Sequence, residues 1–117
     1  MAIGPELKLI RTGQLEPSAP TGHWGVDSRF ILRDVERVVF QHCEMDPGGG
    51  AESHAHDEQD QIFYVLGGRL RVRGGDGRDV MVDRHDALLI PAGAPHATMN
   101  DGPDVAQYLV LTYRTRR

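Results

Sequence analysis

Two of the chain's six histidines, His54 and His56, stand two residues apart in the stretch GGGAESHAHDEQDQIFYVLGG, Gly48–Gly68. On a β-strand, residues i and i+2 share a face, so this spacing presents both imidazoles to one point. The polar run Asp57-Glu58-Gln59-Asp60 suits a turn. Gln61 then opens an apolar strand, and a hairpin return there brings its side chain beside the two rings. Farther on, PAGAPH forms a corner shaped by Pro91, Gly93 and Pro95 that fixes the approach of His96. Three imidazoles and an amide oxygen suit one divalent transition ion (Mn, Fe, Ni, Cu or Zn) better than Ca or Mg. Three or four protein ligands leave coordination positions open, as catalytic rather than structural sites do.

The charge of such a site has a consequence. Neutral imidazoles and a neutral amide leave the ion's charge uncompensated, which makes it a stronger Lewis acid and draws in an anionic ligand. A proton-transfer group is expected nearby. His42 and Glu44 share one face of the preceding strand, and Cys43 and Met45 share the other. If the first face looks inward, His42 or Glu44 serves as the acid or base; if it looks outward, both are surface residues. Tyr64 and Tyr108 are further hydroxyl candidates or packing residues. Cys43 reads as a small buried hydrophobe. His23 and Trp24 either cover the pocket or meet a second subunit.

The elements that must position these groups are all strand-like. Strand patterns run through RFILRD, ERVVFQHCEM, QIFYVLGGRLRVRGG, DVMVD, DALLIPAG, HATMN and VAQYLVLTY, with DPGGG closing the second and a Gly75–Gly77 turn breaking the third. No stretch keeps helical periodicity. The pattern predicts an all-β antiparallel sandwich or barrel. In RLRVR, Arg69, Arg71 and Arg73 fall on one face and Leu70 and Val72 on the other, so the arginines read as the solvated side of a sheet.

The chain has 117 residues, 39% of them hydrophobic, which suits one core and one domain. Residues 1–25, rich in Pro and Gly, read as an extended N-terminal arm, and residues 26–117 as the barrel. The net charge of −4 and the lack of a basic stripe argue against nucleic acid as a partner. One cysteine excludes an intrachain disulfide and a thiolate metal cluster. No apolar run reaches the roughly 18–20 residues of a membrane span, and MAIGPELKLIRTGQ lacks a signal-peptide core. A soluble, cytoplasmic chain is expected.

Two blocks carry a resemblance. The first reads Gly48-x5-His54-x-His56-x4-Gln61-x6-Gly68, and the second Pro91-x-Gly93-x-x-His96-x-x-x-Asn100. Together they resemble the paired motifs of the cupin superfamily. The resemblance implies a small double-sheet β-barrel, or jelly roll, with His54, His56 and His96 as metal ligands. Gln61 occupies the position where that family usually has a glutamate; Asp60 is the alternative, but Gln61 keeps the six-residue spacing to Gly68. His85 stands where the second motif usually begins with glycine. The resemblance further implies a homodimer and a metal-dependent enzyme acting on a small polar or anionic metabolite. Isomerase, dehydratase, lyase and dioxygenase chemistry all suit these ligands, and a non-catalytic sensor or storage protein is the alternative.

Overall fold

Strand-forming runs separated by glycine and proline leave this chain one way to bury its apolar faces, which is to curl a sheet upon itself. The computed structural model describes residues 4–34 and 36–115. After a 3-10 turn at Thr12–Gln14 come eight strands: β1 His23–Asp34, β2 Val38–His54, β3 Gln59–Gly67, β4 Leu70–Gly74, β5 Asp79–Val82, β6 Ala87–Ile90, β7 His96–Met99 and β8 Ala106–Arg114. Among the described residues there is no α-helix. Along the sheet the order is β5-β4-β7-β2-β8-β3-β6, with β1 also paired to β2, and every pairing is antiparallel. The result is the expected all-β antiparallel barrel.

β2 holds the barrel together. Its first part pairs with β8, from Val38↔Tyr113 to Met45↔Ala106, and its last part pairs with β7, from Gly50↔Met99 to His54↔His96. The sequence reading ended this strand at DPGGG, but β2 runs through it. The glycines let the chain bend without leaving the sheet, because a Cβ on Gly49 would meet Met45 Cγ at 2.8 Å and Gly25 O at 2.9 Å. The bend is tied down by backbone bonds from Gly48 N to Asn100 O and from Asn100 N to Gly49 O. The expected return of β3 beside β2 does not form either. β3 pairs with β8 and β6, and it reaches the histidines through closure of the barrel.

The interior is apolar. Val26, Cys43, Met45, Phe63, Val65, Leu70, Val72, Val82, Ile90, Ala106, Tyr108 and Val110 make one buried cluster. In β4 the alternation works as read: Leu70 and Val72 are buried, while Arg69 and Arg73 lie on the exposed side. Asp83 pairs with Arg69, Asp79 with both Arg71 and Arg73, and Asp101 with Arg71, so the arginine stripe is an outer face neutralised by ion pairs.

The arm differs in part from its expected form. Its last three residues, His23–Gly25, belong to β1. Upstream, Ser18 and Ser28 exchange backbone hydrogen bonds of 2.8 Å, and Arg29 Nε donates to Leu15 O, so this segment lies along its own barrel. Residues 1–3 lie outside the described residues. His85 also has a physical account, since its φ of 70° is the left-handed conformation that glycine adopts at no cost. Its ring stacks on that of Tyr64, with centroids 6.3 Å apart.

Asn100, which closes the second motif, is 1% exposed. Its Nδ2 donates to Met45 O and Asp104 O, and its Oδ1 accepts from Gly102 N. One side chain thus ties β2, β7 and the approach to β8. Asn100→Ala leaves these buried backbone groups without partners and is expected to lower stability by about 2–4 kcal/mol. Urea denaturation with the slope held equal between the two proteins checks this.

Candidate metal centre

His54 ends β2 and His96 begins β7, and the two are direct partners across the ladder. Their ring centroids are 4.4 Å apart. His56 follows two residues after His54 and completes the group, 5.0 Å from His54 and 5.8 Å from His96 by ring centroid. One nitrogen from each ring lies within 4.8 Å of the other two.

The local backbone sets which nitrogen each ring offers. His54 Nδ1 lies 2.8 Å from Glu52 O, and His96 Nδ1 lies 3.0 Å from Ala94 O. A carbonyl only accepts, so Nδ1 carries the proton in both rings and Nε2 keeps its lone pair. Such a bond to the second nitrogen is the usual way a ligating imidazole is oriented. His56 Nε2 and His96 Nε2 are buried without a hydrogen-bond partner.

Gln61, also buried, lines the same cavity as His54 and His56. Its Nε2 donates to Thr112 Oγ1 at 3.0 Å, which fixes the amide plane, and its Oε1 is buried and unpartnered. Asp60, the alternative, is used elsewhere: its Oδ1 accepts from Ala92 N at 2.7 Å, holding the loop ahead of His96. A buried acceptor with no donor costs about 1–3 kcal/mol. Unpartnered lone pairs on His56, His96 and Gln61, two of them in a group of three histidines, are the donor set that suits a divalent cation.

His54, His56 and Gln61 border this cavity of about 200 Å³, and His96 adjoins it through its ring contacts with His54 and His56. Below the histidines its walls are mainly apolar, formed by Val26, Met45, Phe63 and Val110. Burial pushes the Cys43 thiol up to about 11 and holds the Tyr108 phenol well above its usual range, so both stay protonated. Burial, aided by the neighbouring imidazoles, holds His56 below the ordinary histidine range, and burial does the same to His96.

The other sequence candidates are placed apart from this site. Gln41, Cys43 and Met45 line the cavity, so His42 and Glu44 sit on the opposite face of β2. Glu44 faces Arg29 at 3.8 Å there. Tyr64 is exposed on β3 against His85, and does not border the cavity. None of the expected catalytic set of His42, Glu44 and Tyr64 lines the cavity; His42 is half-buried on the other face of β2, with its Nδ1 buried and unpartnered. Tyr108, Gln41 and His23 do line the cavity. Gln41 went unread; its i, i+2 relation to Cys43 was the available signal. His23, whose Nδ1 donates to Thr21 O at 2.9 Å, lies 6.0 Å from His54 by ring centroid.

Lowered imidazole basicity sets a pH dependence. In the folded chain His56 and His96 resist protonation, whereas in the unfolded chain they titrate near 6.5. The unfolded state therefore binds more protons as pH falls through about 6.5, and stability drops. Metal-free protein is expected to lose melting temperature between pH 7 and pH 5 with a smaller loss in His56→Ala, as calorimetry in matched buffers reads directly. A His96→Ala protein that keeps full metal content by elemental analysis removes this residue from the ligand set.

A cupin-domain family model matches residues 41–112. Over 88 residues the chain is 30% identical to the tetracenomycin polyketide synthase protein TcmJ of Streptomyces glaucescens, an alignment covering 72% of this chain and 58% of TcmJ. The chain thus spans little more than half the length of that relative. Among solved structures it is similar to a predicted oxalate decarboxylase from Thermotoga maritima, with TM-score 0.83 and 21% identity over 92% of this chain and 100% of that one. It is equally similar to the polyketide cyclase RemF from Streptomyces resistomycificus, with TM-score 0.82 and 24% identity over 95% of this chain and 82% of that one. These structural likenesses speak for the fold; the match over 41–112, which takes in both histidine motifs, makes this chain a member of the cupin family.

Proposed function

We propose that the chain is a metal-dependent cupin enzyme performing redox-neutral chemistry on a small oxygenated molecule with an apolar body. The observation that carries this reading is the grouping of His54, His56 and His96, with His56 Nε2, His96 Nε2 and Gln61 Oε1 unpartnered, at a mainly apolar cavity that His54, His56 and Gln61 line. His54, His56, His96 and Gln61 hold one divalent transition ion. The sequence pointed to a polar or anionic substrate. The apolar walls narrow this: the oxygen-bearing end meets the histidines, and a hydrophobic body fills the space below.

A bound ion supplies Lewis acidity toward a carbonyl or carboxylate oxygen. The chain's own residues do the rest. The carbonyls of Glu52 and Ala94 hold the rings in place, and Thr112 holds the Gln61 amide. Val26, Met45, Phe63 and Val110 exclude water, which strengthens every electrostatic interaction inside. His23, the remaining imidazole on the cavity wall, takes a proton from the carbon next to the ligand's carbonyl, the C–H electron pair passing to the carbonyl oxygen as an enolate, since its Nδ1–H bond to Thr21 O leaves the Nε2 lone pair free. The name of RemF, a polyketide cyclase, supports the redox-neutral class over dioxygenation.

The metal-loaded protein is expected to speed deuterium exchange at the methyl group of acetophenone in deuterium oxide, and His23→Ala to slow it, as proton NMR measures. Metal loading without any acceleration would leave a binding protein in place of an enzyme. The neutral amide gives a second test. Gln61→Glu adds one negative charge beside the ion, so metal affinity is expected to rise. Affinity for oxalate is expected to fall, by about 1–4 kcal/mol for charges ~4 Å apart at intermediate to high dielectric. Titration calorimetry with metal and then with oxalate reads both; unchanged values would make Gln61 a bystander.

We also infer a homodimer. Leu7, Leu9 and Trp24 are exposed apolar side chains on and beside the arm, which supports an interface there. Light scattering at micromolar concentration is expected to give twice the 13.0 kDa chain mass, and Leu7→Asp with Leu9→Asp to shift it toward the monomer.

A further inference from the structure

The cavity has a second polar end, away from the histidines. Along β8, Thr112 pairs with Gln61, Val110 with Phe63, and Tyr108 with Val65. Tyr108 therefore sits four residues below the Gln61 level, roughly 13 Å along the strand. On its other side Tyr108 pairs with Cys43 of β2. Tyr108 is 4% exposed and borders the cavity, with its ring 5.8 Å from that of Phe63 by centroid. Among the described residues its hydroxyl makes no side-chain hydrogen bond, and it is not one of the fully sealed unpartnered atoms, so it opens on the cavity that Tyr108 lines. Cys43 Sγ is not a partner for it, because it lies instead 3.5 Å from Ser28 Oγ, which also accepts from Gln41 Nε2 at 2.7 Å. A buried tyrosine ordinarily finds a partner for its hydroxyl. The phenol stays protonated, so it is a donor at neutral pH.

Size restricts what fits between the two ends. Pockets for drug-sized ligands hold about 300–1,000 Å³, and this one holds about 200 Å³. A ligand of one or two rings fits such a space; a larger fused system does not enter it whole.

We propose that Tyr108 is a specificity-determining residue: the cavity encloses a single apolar ring bearing oxygen at both ends, one end toward His54, His56, His96 and Gln61, the other accepting a hydrogen bond from the Tyr108 hydroxyl. The walls of Phe63, Val26 and Val110 suit the faces of a flat ring. The Gln41 amide, one level above Tyr108, borders the same space. This rests on the metal-centre reading above, because the first oxygen is held at the ion.

Hydroxamates separate the two claims, since their paired oxygens bind divalent ions whatever the ring carries. Benzohydroxamate and phenylacetohydroxamate, each with a para hydrogen, methyl or hydroxyl group, are titrated into metal-loaded wild-type protein and Tyr108→Phe. For whichever acid reaches the phenol, the para-hydroxyl is expected to bind about tenfold tighter than the para-methyl in wild type, the gain of one well-formed hydrogen bond. In Tyr108→Phe that preference disappears while the unsubstituted acids bind as before. Equal binding of hydroxyl and methyl compounds to wild type, in both series, overturns the proposal without any variant. So does a hydroxyl preference that survives in Tyr108→Phe. Protein that binds no hydroxamate despite carrying metal, or that takes up no metal, overturns the metal-centre reading and this proposal with it.

Discussion

The pairing of His54 with His96 across the β2–β7 ladder is the contact on which the rest depends. It places two imidazoles against each other by backbone hydrogen bonding, without relying on side-chain packing. The strain of crowding polar lone pairs there is set against the sheet itself. His56 joins because it lies two residues past His54, beyond the strand end. Gln61 faces the same cavity because the barrel closes through β8, whose Thr112 both pairs with Gln61 and orients its amide. A ladder is stiff compared with a loop, so the donors are held before any ion arrives.

That pairing requires β2 to serve two sets of neighbours, and this is the work of the glycine run. Where β2 leaves β8 and joins β7, Gly49 and Gly50 allow approaches that no side chain permits. A Cβ on Gly50 would meet Trp24 Cζ2 at 2.7 Å and Thr98 O at 2.8 Å. Trp24 then closes over the bend, its indole N–H donating to Gly48 O at 3.0 Å. The run that resembles a strand terminator is therefore the hinge that carries the strand from one side of the barrel to the other. Glycine and proline mark turns because they relax the backbone, and in a tightly curled sheet the same property lets a strand bend and continue.

This explains which parts of the molecule were legible in the sequence. The i, i+2 rule placed His54 beside His56, and the alternation in RLRVR put Leu70 and Val72 inside, because in both stretches one face is chemically distinct. The run VVFQHCEM has no such contrast. Val38, Phe40, His42 and Glu44 share one face, and Val39, Gln41, Cys43 and Met45 share the other, so each face mixes apolar and polar residues. Parity there is decided by Ser28 and Val26 of β1 and by Tyr108 and Ala106 of β8, which meet the second face inside the barrel. These are long-range partners that a local reading does not contain. The left-handed turn at His85 was visible as a departure from glycine, whereas Gln41 was hidden by the same mixed alternation.

One physical cause also accounts for the charge of the cavity. Desolvation raises the Cys43 thiol and the Tyr108 phenol and lowers the His56 and His96 imidazoles, so acids and bases alike are driven to their neutral forms. Gln61 is neutral by nature, and Asp60, the nearest carboxylate in sequence, is turned to the Ala92 amide. The chain as a whole carries −4, yet among the described residues no Asp, Glu, Lys or Arg lines this cavity. The charge of an ion held by these donors is then opposed by nothing in the wall. In apolar surroundings its field falls off less than in water, so an oxygen anion that enters lowers the energy of the whole site rather than merely filling it. Neutral donors, which hold a cation less firmly than carboxylates, are the arrangement that leaves most of that field for a ligand.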